Sequence, residues 1–177
     1  MAFGPLNPGA SDVWMKRMTL PRYLSQAGGN SSELEELLAG LPTIAAFARL
    51  CGNVLAQSLG SDRPPVDLSS EAQAILCAAR QCGILEIKGT QQEFESARRL
   101  LAVYVETGPG CYQVFRNPRD PQVTLRFLDG FRELCIAGFV MHQMGAEFSL
   151  TRLGFEHATT LDESSLQVYL DMGYLLD

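Results

Sequence analysis

Lysine is nearly missing from this 177-residue chain: only Lys16 and Lys88 occur, and even with the arginines they are outnumbered by 20 carboxylates, for a formal net charge of −6. Basic residues stop altogether at Arg152, whereas Glu156, Asp162, Glu163, Asp171 and Asp177 follow it. A general nucleic-acid coat draws its affinity from neutralised phosphates and carries a basic excess. The composition excludes such a coat and makes the C-terminal end a surface that repels phosphate. Long apolar runs are missing too, and none approaches the ~20 residues that span a bilayer. The opening Met1-Ala2-Phe3-Gly4-Pro5 lacks the basic-then-apolar pattern of a secretory signal. The expectation is a cytoplasmic, soluble protein with no membrane partner.

The motifs of common chemistries are equally sparse. There is no nucleophile elbow, no phosphate-binding glycine loop ending in lysine and a hydroxyl residue, and no zinc-protease helix pattern. Five cysteines occur, Cys51, Cys77, Cys82, Cys111 and Cys135, an odd and widely spaced set unlike a secreted disulfide framework. Cys77 and Cys82 are five apart, not at the two-residue separation of a zinc knuckle. Cys82 precedes Gly83 at a predicted helix C-terminus, where the dipole opposes a thiolate. The cysteines therefore read as buried free thiols. The two histidines, His142 and His157, stand at no metal or triad spacing from Cys135. These features point to a non-enzymatic protein with no catalytic residue, metal or cofactor; an enzyme of unrecognised type is the remaining alternative.

With 46% hydrophobic residues the chain can bury one sizeable core. Residues 1–30, rich in Gly, Pro, Asn and Ser, read as a flexible N-terminal arm in which Trp14 either anchors the arm onto the body or is presented to a partner. Residues 31–60 form a helical N-terminal region. Ser32 and Glu35 fit a capping box, Gly40 and Pro42 stop the first helix, and a second spans 44–59 from a Thr43 cap. In that second helix Arg49, Asn53 and Gln57 line one narrow polar stripe and nearly everything else is apolar, so it needs cover. Ser61-Asp62-Arg63-Pro64-Pro65 is the candidate linker.

Residues 66–177 then form a body with an acidic C-terminal helix. Ser70 and Gln73 cap a helix to about Cys82; Ile84–Ile87 is a short strand; Thr90 and Glu93 cap a helix through about Tyr104, where Arg98 and Arg99 pair with Glu93 and Glu95. Gly108-Pro109-Gly110 is a turn before strand Cys111–Phe115. A helix over 122–137 ends at Gly138, its interior Gly130 costing about 1 kcal/mol against alanine. Residues 139–142 and 147–150 form a hairpin around Gly145. Short helices follow at 152–159 and from 162 to the end.

The run Phe131-Arg132-Glu133-Leu134-Cys135-Ile136-Ala137-Gly138 and the later Phe148-Ser149-Leu150-Thr151-Arg152-Leu153-Gly154 resemble the end of a winged-helix domain over about residues 122–159. In that family a helix stops at glycine, a two-stranded wing follows, and its second strand enters a threonine-capped helix. The resemblance implies an α+β, mainly helical chain, with an N-terminal helical extension before a winged-helix-like body bearing a β-hairpin wing.

Two surfaces follow. The apolar helix 44–59 is a candidate for self-association or a protein partner through Phe47, Leu50 and Val54. This suggests a protein-interaction or accessory subunit. The family resemblance implies the alternative, a DNA-binding regulator that uses helix 122–137 with Arg116, Arg119, Arg126 and Arg132. Against that stand the interleaved Asp120, Asp129 and Glu133, and a wing tip from His142 to Glu147 with no lysine or arginine.

Overall fold

The computed structural model describes residues 31–57, 67–89 and 100–176, with side chains in the first stretch from Pro42 onward. The arm at 1–30 with Trp14, the linker 61–65, the Ser32/Glu35 and Thr90/Glu93 caps and the Arg98–Arg99 pairs lie outside these residues. The stretch from Ser31 to Asp177 is one compact unit. Its elements run α1 (Ser31–Gln57), α2 (Ser70–Ala79), β1 (Ile84–Lys88), β2 (Ala102–Gly108), β3 (Cys111–Phe115), α3 (Pro121–Ala137), β4 (Val140–His142), β5 (Glu147–Leu150), α4 (Arg152–Thr160), α5 (Glu163–Leu170) and β6 (Tyr174–Leu176). The fold is α+β. No described helix is long and apolar enough to cross a membrane.

The strands form one antiparallel sheet in the order β4-β5-β1-β2-β3-β6. Alternation along each strand sends Leu85, Ile87, Val103, Val105, Phe115 and Phe148 to one face, where all are buried. Helices α1, α2 and α3 pack on the sheet, and α5 lies against α2. Between the layers runs an aromatic chain. Phe131 of α3 meets Phe47 of α1 edge-on at 5.2 Å and Phe148 of β5 at 5.0 Å, while Phe127, one turn earlier, stacks on Phe115 at 4.5 Å.

Local chemistry sets the boundaries. Ser69 caps α2 through Ala72 N at 3.2 Å, one residue before the expected Ser70, and Gln73 instead donates to Leu68 O. Asp120 caps α3, Pro121 opens it, and Gly138 closes it at φ 70°, a left-handed conformation that glycine adopts freely. Thr151 caps α4 through Gly154 N at 3.1 Å. Gly145, at φ 58°, turns the β4–β5 hairpin, as its position predicts.

Three expectations give way. The break at Gly40–Pro42 is absent: α1 runs through Pro42, which is exposed and forfeits one backbone hydrogen bond without ending the helix. Ala102–Tyr104 belong to β2 rather than a helix, because pairing with β1 and β3 on both sides outweighs local propensity. The final helix stops at Leu170 and the chain returns as β6 along β3. Gly130 is explained by close approach: a Cβ there would lie 2.8 Å from Ala72 N, so the start of α2 crosses α3 at this glycine.

Candidate interaction surfaces

Burial divides the residues singled out from sequence. Phe47 is 5% exposed and sits against Phe131, so its ring belongs to the core. Leu50 is half-buried and packs on the same cluster; Val54 is half-buried, while Leu55 beside it is exposed. Arg49, Asn53 and Gln57 do form the exposed stripe that their spacing predicts. What α1 shows to solvent from Pro42 onward is thus largely polar or small.

The four arginines do not converge. Arg116 is 5% exposed; its Nη2 donates to Lys88 O at 3.2 Å and Leu100 O at 3.1 Å, and its guanidinium lies over the Tyr104 ring. It holds the ends of β1 and β2 together and is withdrawn from any phosphate. Arg119 is exposed, and its backbone N–H donates to Asn117 Oδ1. Arg126 pairs with Glu71 at 3.5 Å, and Arg132 with Asp129 at 3.8 Å. Glu133 accepts the Ser69 N–H and Asp120 caps the helix. The outward face of α3 therefore presents cations largely offset by acids.

The cysteines sort by depth. Cys51, Cys77 and Cys135 are buried, and Cys82 and Cys111 are partly exposed. The interaction between the Cys51 and Cys135 side chains holds the Cys51 thiol below its ordinary value and, with burial, pushes the Cys135 thiol up. Burial also raises Cys77, although Arg80 Nη1 reaches its sulfur at 3.9 Å. None of the three is an accessible thiolate. A thiol-reactive dye added to the native protein is expected to label Cys82 and Cys111 quickly and the other three only on unfolding; labelling of all five at one rate would contradict this arrangement. His157 stacks on Phe139 and His142 packs edge-on to Phe148, so both imidazoles are used in packing. Among the described residues no group of three His, Cys, Asp or Glu side chains is placed to hold a metal ion.

The surface that sequence reasoning missed lies at the sheet edge. β6 pairs with β3 in the register Tyr112↔Leu176, Gln113↔Leu175, Val114↔Tyr174, and it ends the strand order among the described residues. Its side chains are apolar or aromatic and open: Tyr174 is 40% exposed, Leu175 69% and Leu176 46%. Gly173 makes this return possible, since a Cβ there would lie 2.7 Å from both Gln113 Nε2 and Val114 O. Gln113 Nε2 also donates to Leu170 O at 2.9 Å, tying the end of α5 to β3.

Beside β6 opens a cleft of about 560 Å3, bounded by the end of α2, by α5 and by β3. Cys77, Arg80, Gln113, Glu163, Asp171 and Leu175 are among its walls. Arg80 is engaged by Glu163, and the Asp171 carboxylate accepts a neutral amide N–H from Gln167 at 2.7 Å. The charged lining, Arg80 against Glu163 and Asp171, is net negative. The sequence sign that accompanies this site is Gly173 followed by Tyr174-Leu175-Leu176 after an acidic helix without lysine or arginine, while the edge itself follows from the pairing of β6 with β3. The chain matches no protein-family model, no curated protein and no solved structure.

Proposed function

We propose that this chain is a non-enzymatic protein-interaction module on a winged-helix-like scaffold, and that it recognises its partner along β6. The observation that carries this reading is a strand that ends the sheet among the described residues and presents three open apolar residues beside a cleft. Such an edge presents backbone donors and acceptors ready for another strand, and proteins ordinarily protect it with lysine, proline or a covering element. Here the strand carries neither lysine nor proline. The scaffold reading is supported by α3 ending at Gly138, the β4–β5 hairpin and the Thr151-capped α4.

The same geometry speaks against the duplex-DNA alternative. A helix-turn-helix sets a positioning helix before the reading helix, and in this chain the β2–β3 hairpin takes that place. The test is a selection of binders from a random peptide library, made in parallel on wild-type protein and on Leu175→Lys, with labelled random duplex DNA titrated across a salt series. Peptides enriched on the wild type and lost on the variant are the expected result. Enrichment indifferent to Leu175→Lys, or a steep salt-dependent affinity for DNA, would remove the proposal.

A further inference from the structure

From the register and charge around β6 we infer the class of partner: an extended segment that alternates basic and apolar residues and adds as a seventh strand to the sheet. This rests on the proposed use of β6 for recognition. Strand geometry supplies the alternation. Leu175 pairs with Gln113, and both border the cleft, as the neighbouring Tyr174 also does. Tyr174 and Leu176 flank Leu175, and the period of two places their side chains on the other face of the sheet even though Tyr174 also borders the cleft. A strand laid along β6 therefore has every second side chain beside the cleft and the intervening ones beside Tyr174 and Leu176.

The two faces select different chemistry. On the cleft side stand Glu163 and Asp171, with Arg80 alone to offset them; Asp162 is near enough to Cys77, with Glu163, to act on its thiol. No lysine or arginine lies between Arg152 and Asp177, so α5 and β6 carry no cationic lysine or arginine of their own. A basic side chain entering here gains attraction to the exposed Asp171 carboxylate, since Glu163 is engaged by Arg80. On the opposite face the exposed ring of Tyr174 and the Leu176 side chain favour an aliphatic or aromatic neighbour, as cross-strand pairs do. A second copy of this chain fits poorly as the occupant. A two-fold pairing of β6 with itself brings one acidic cleft edge toward another, and three paired residues supply far less than the ~1,600 Å2 of a standard stable interface.

The test uses the full chain and two fluorescein-labelled peptides, one alternating lysine with valine and one alternating glutamate with valine, followed by anisotropy. The lysine–valine peptide is expected to bind, and to bind more weakly as salt screens the carboxylates. Leu175→Lys, at a position open enough to leave folding intact, is expected to weaken it about tenfold, the scale of one interface anchor. Asp171→Asn should weaken it and flatten its salt dependence. Glu156→Gln, the same charge change on the exposed face of α4, should leave it unchanged, which separates a local site from general attraction to an acidic protein. Equal effects of Asp171→Asn and Glu156→Gln would overturn the inference. If the glutamate–valine peptide binds as well and Leu175→Lys abolishes both, the basic partner is wrong and β6 recognition stands. If neither binds, both readings fail. A dimer seen by sedimentation in the wild type and lost in Leu175→Lys would assign the edge to a second copy and overturn the basic partner.

Discussion

Gly154→Ala is expected to destabilise the fold by about 3 kcal/mol or more, at or beyond the upper end of ordinary overpacking. Gly154 lies in the first turn of α4, and a Cβ built there falls 2.1 Å from the Phe139 carbonyl oxygen and 3.0 Å from its carbon. That backbone has little room to yield. Phe139 N–H donates to Leu134 O at 3.0 Å, Phe139 O accepts from Thr151 N at 2.9 Å, and the Thr151 hydroxyl donates to Gly138 O at 2.8 Å. The methyl group must therefore push α4 away from the α3–β4 connection and break the cap that starts it. Gly52→Ala is the matched control. It is an exposed helical glycine whose Cβ position has nothing within 4 Å beyond its own helix among the described residues, and the change should stabilise by up to ~1 kcal/mol through helix propensity. Urea unfolding midpoints measure both, and equal shifts would refute the close approach.

Phe131→Ala should cost a further large amount, about 3–5 kcal/mol against a total stability of about 5–15 kcal/mol for a domain of ordinary size. Phe131 is fully buried and joins three elements, touching Phe47 of α1 and Phe148 of β5 from its place on α3. Its removal leaves a cavity bounded by two other rings whose own positions depend on it, so collapse around the gap is limited. Val168→Ala, at a side chain 67% exposed on α5, should stay within about 0.5 kcal/mol. A loss at Phe131 no greater than that at Val168 would mean that α1 does not close the core over α3.

The contrast between these sites mirrors what was legible in the sequence. The region from α3 to α4 was readable because each boundary is set by neighbours within a few residues: Gly138 at positive φ, Gly145 in the turn, Thr151 reaching Gly154. The stripe Arg49, Asn53 and Gln57 was readable for the same reason, a period of four on one helix. β2 was not, because Ala102–Val105 are a strand by virtue of Leu85–Lys88 and Gln113–Phe115 on either side, partners that no local pattern names. The continuity of α1 through Pro42 and the return of β6 after α5 also depend on tertiary placement. For the candidate site the same division holds. The acidic C-terminal end was plain from composition, but the open edge appears only once β6 is paired with β3. Arg116 carried no local sign that its guanidinium would be buried over Tyr104 and bound to two carbonyls.

The most direct test of recognition along β6 is amide hydrogen exchange, measured residue by residue with and without the alternating lysine–valine peptide. An edge strand exposes part of its backbone to water, and a seventh strand would cover it. The expected result is slower exchange confined to Tyr174–Leu176 and the rim of the cleft, absent in Leu175→Lys. Unchanged exchange at β6 with new protection on α1 or on the outer face of α3 would contradict it and move the interface to those helices.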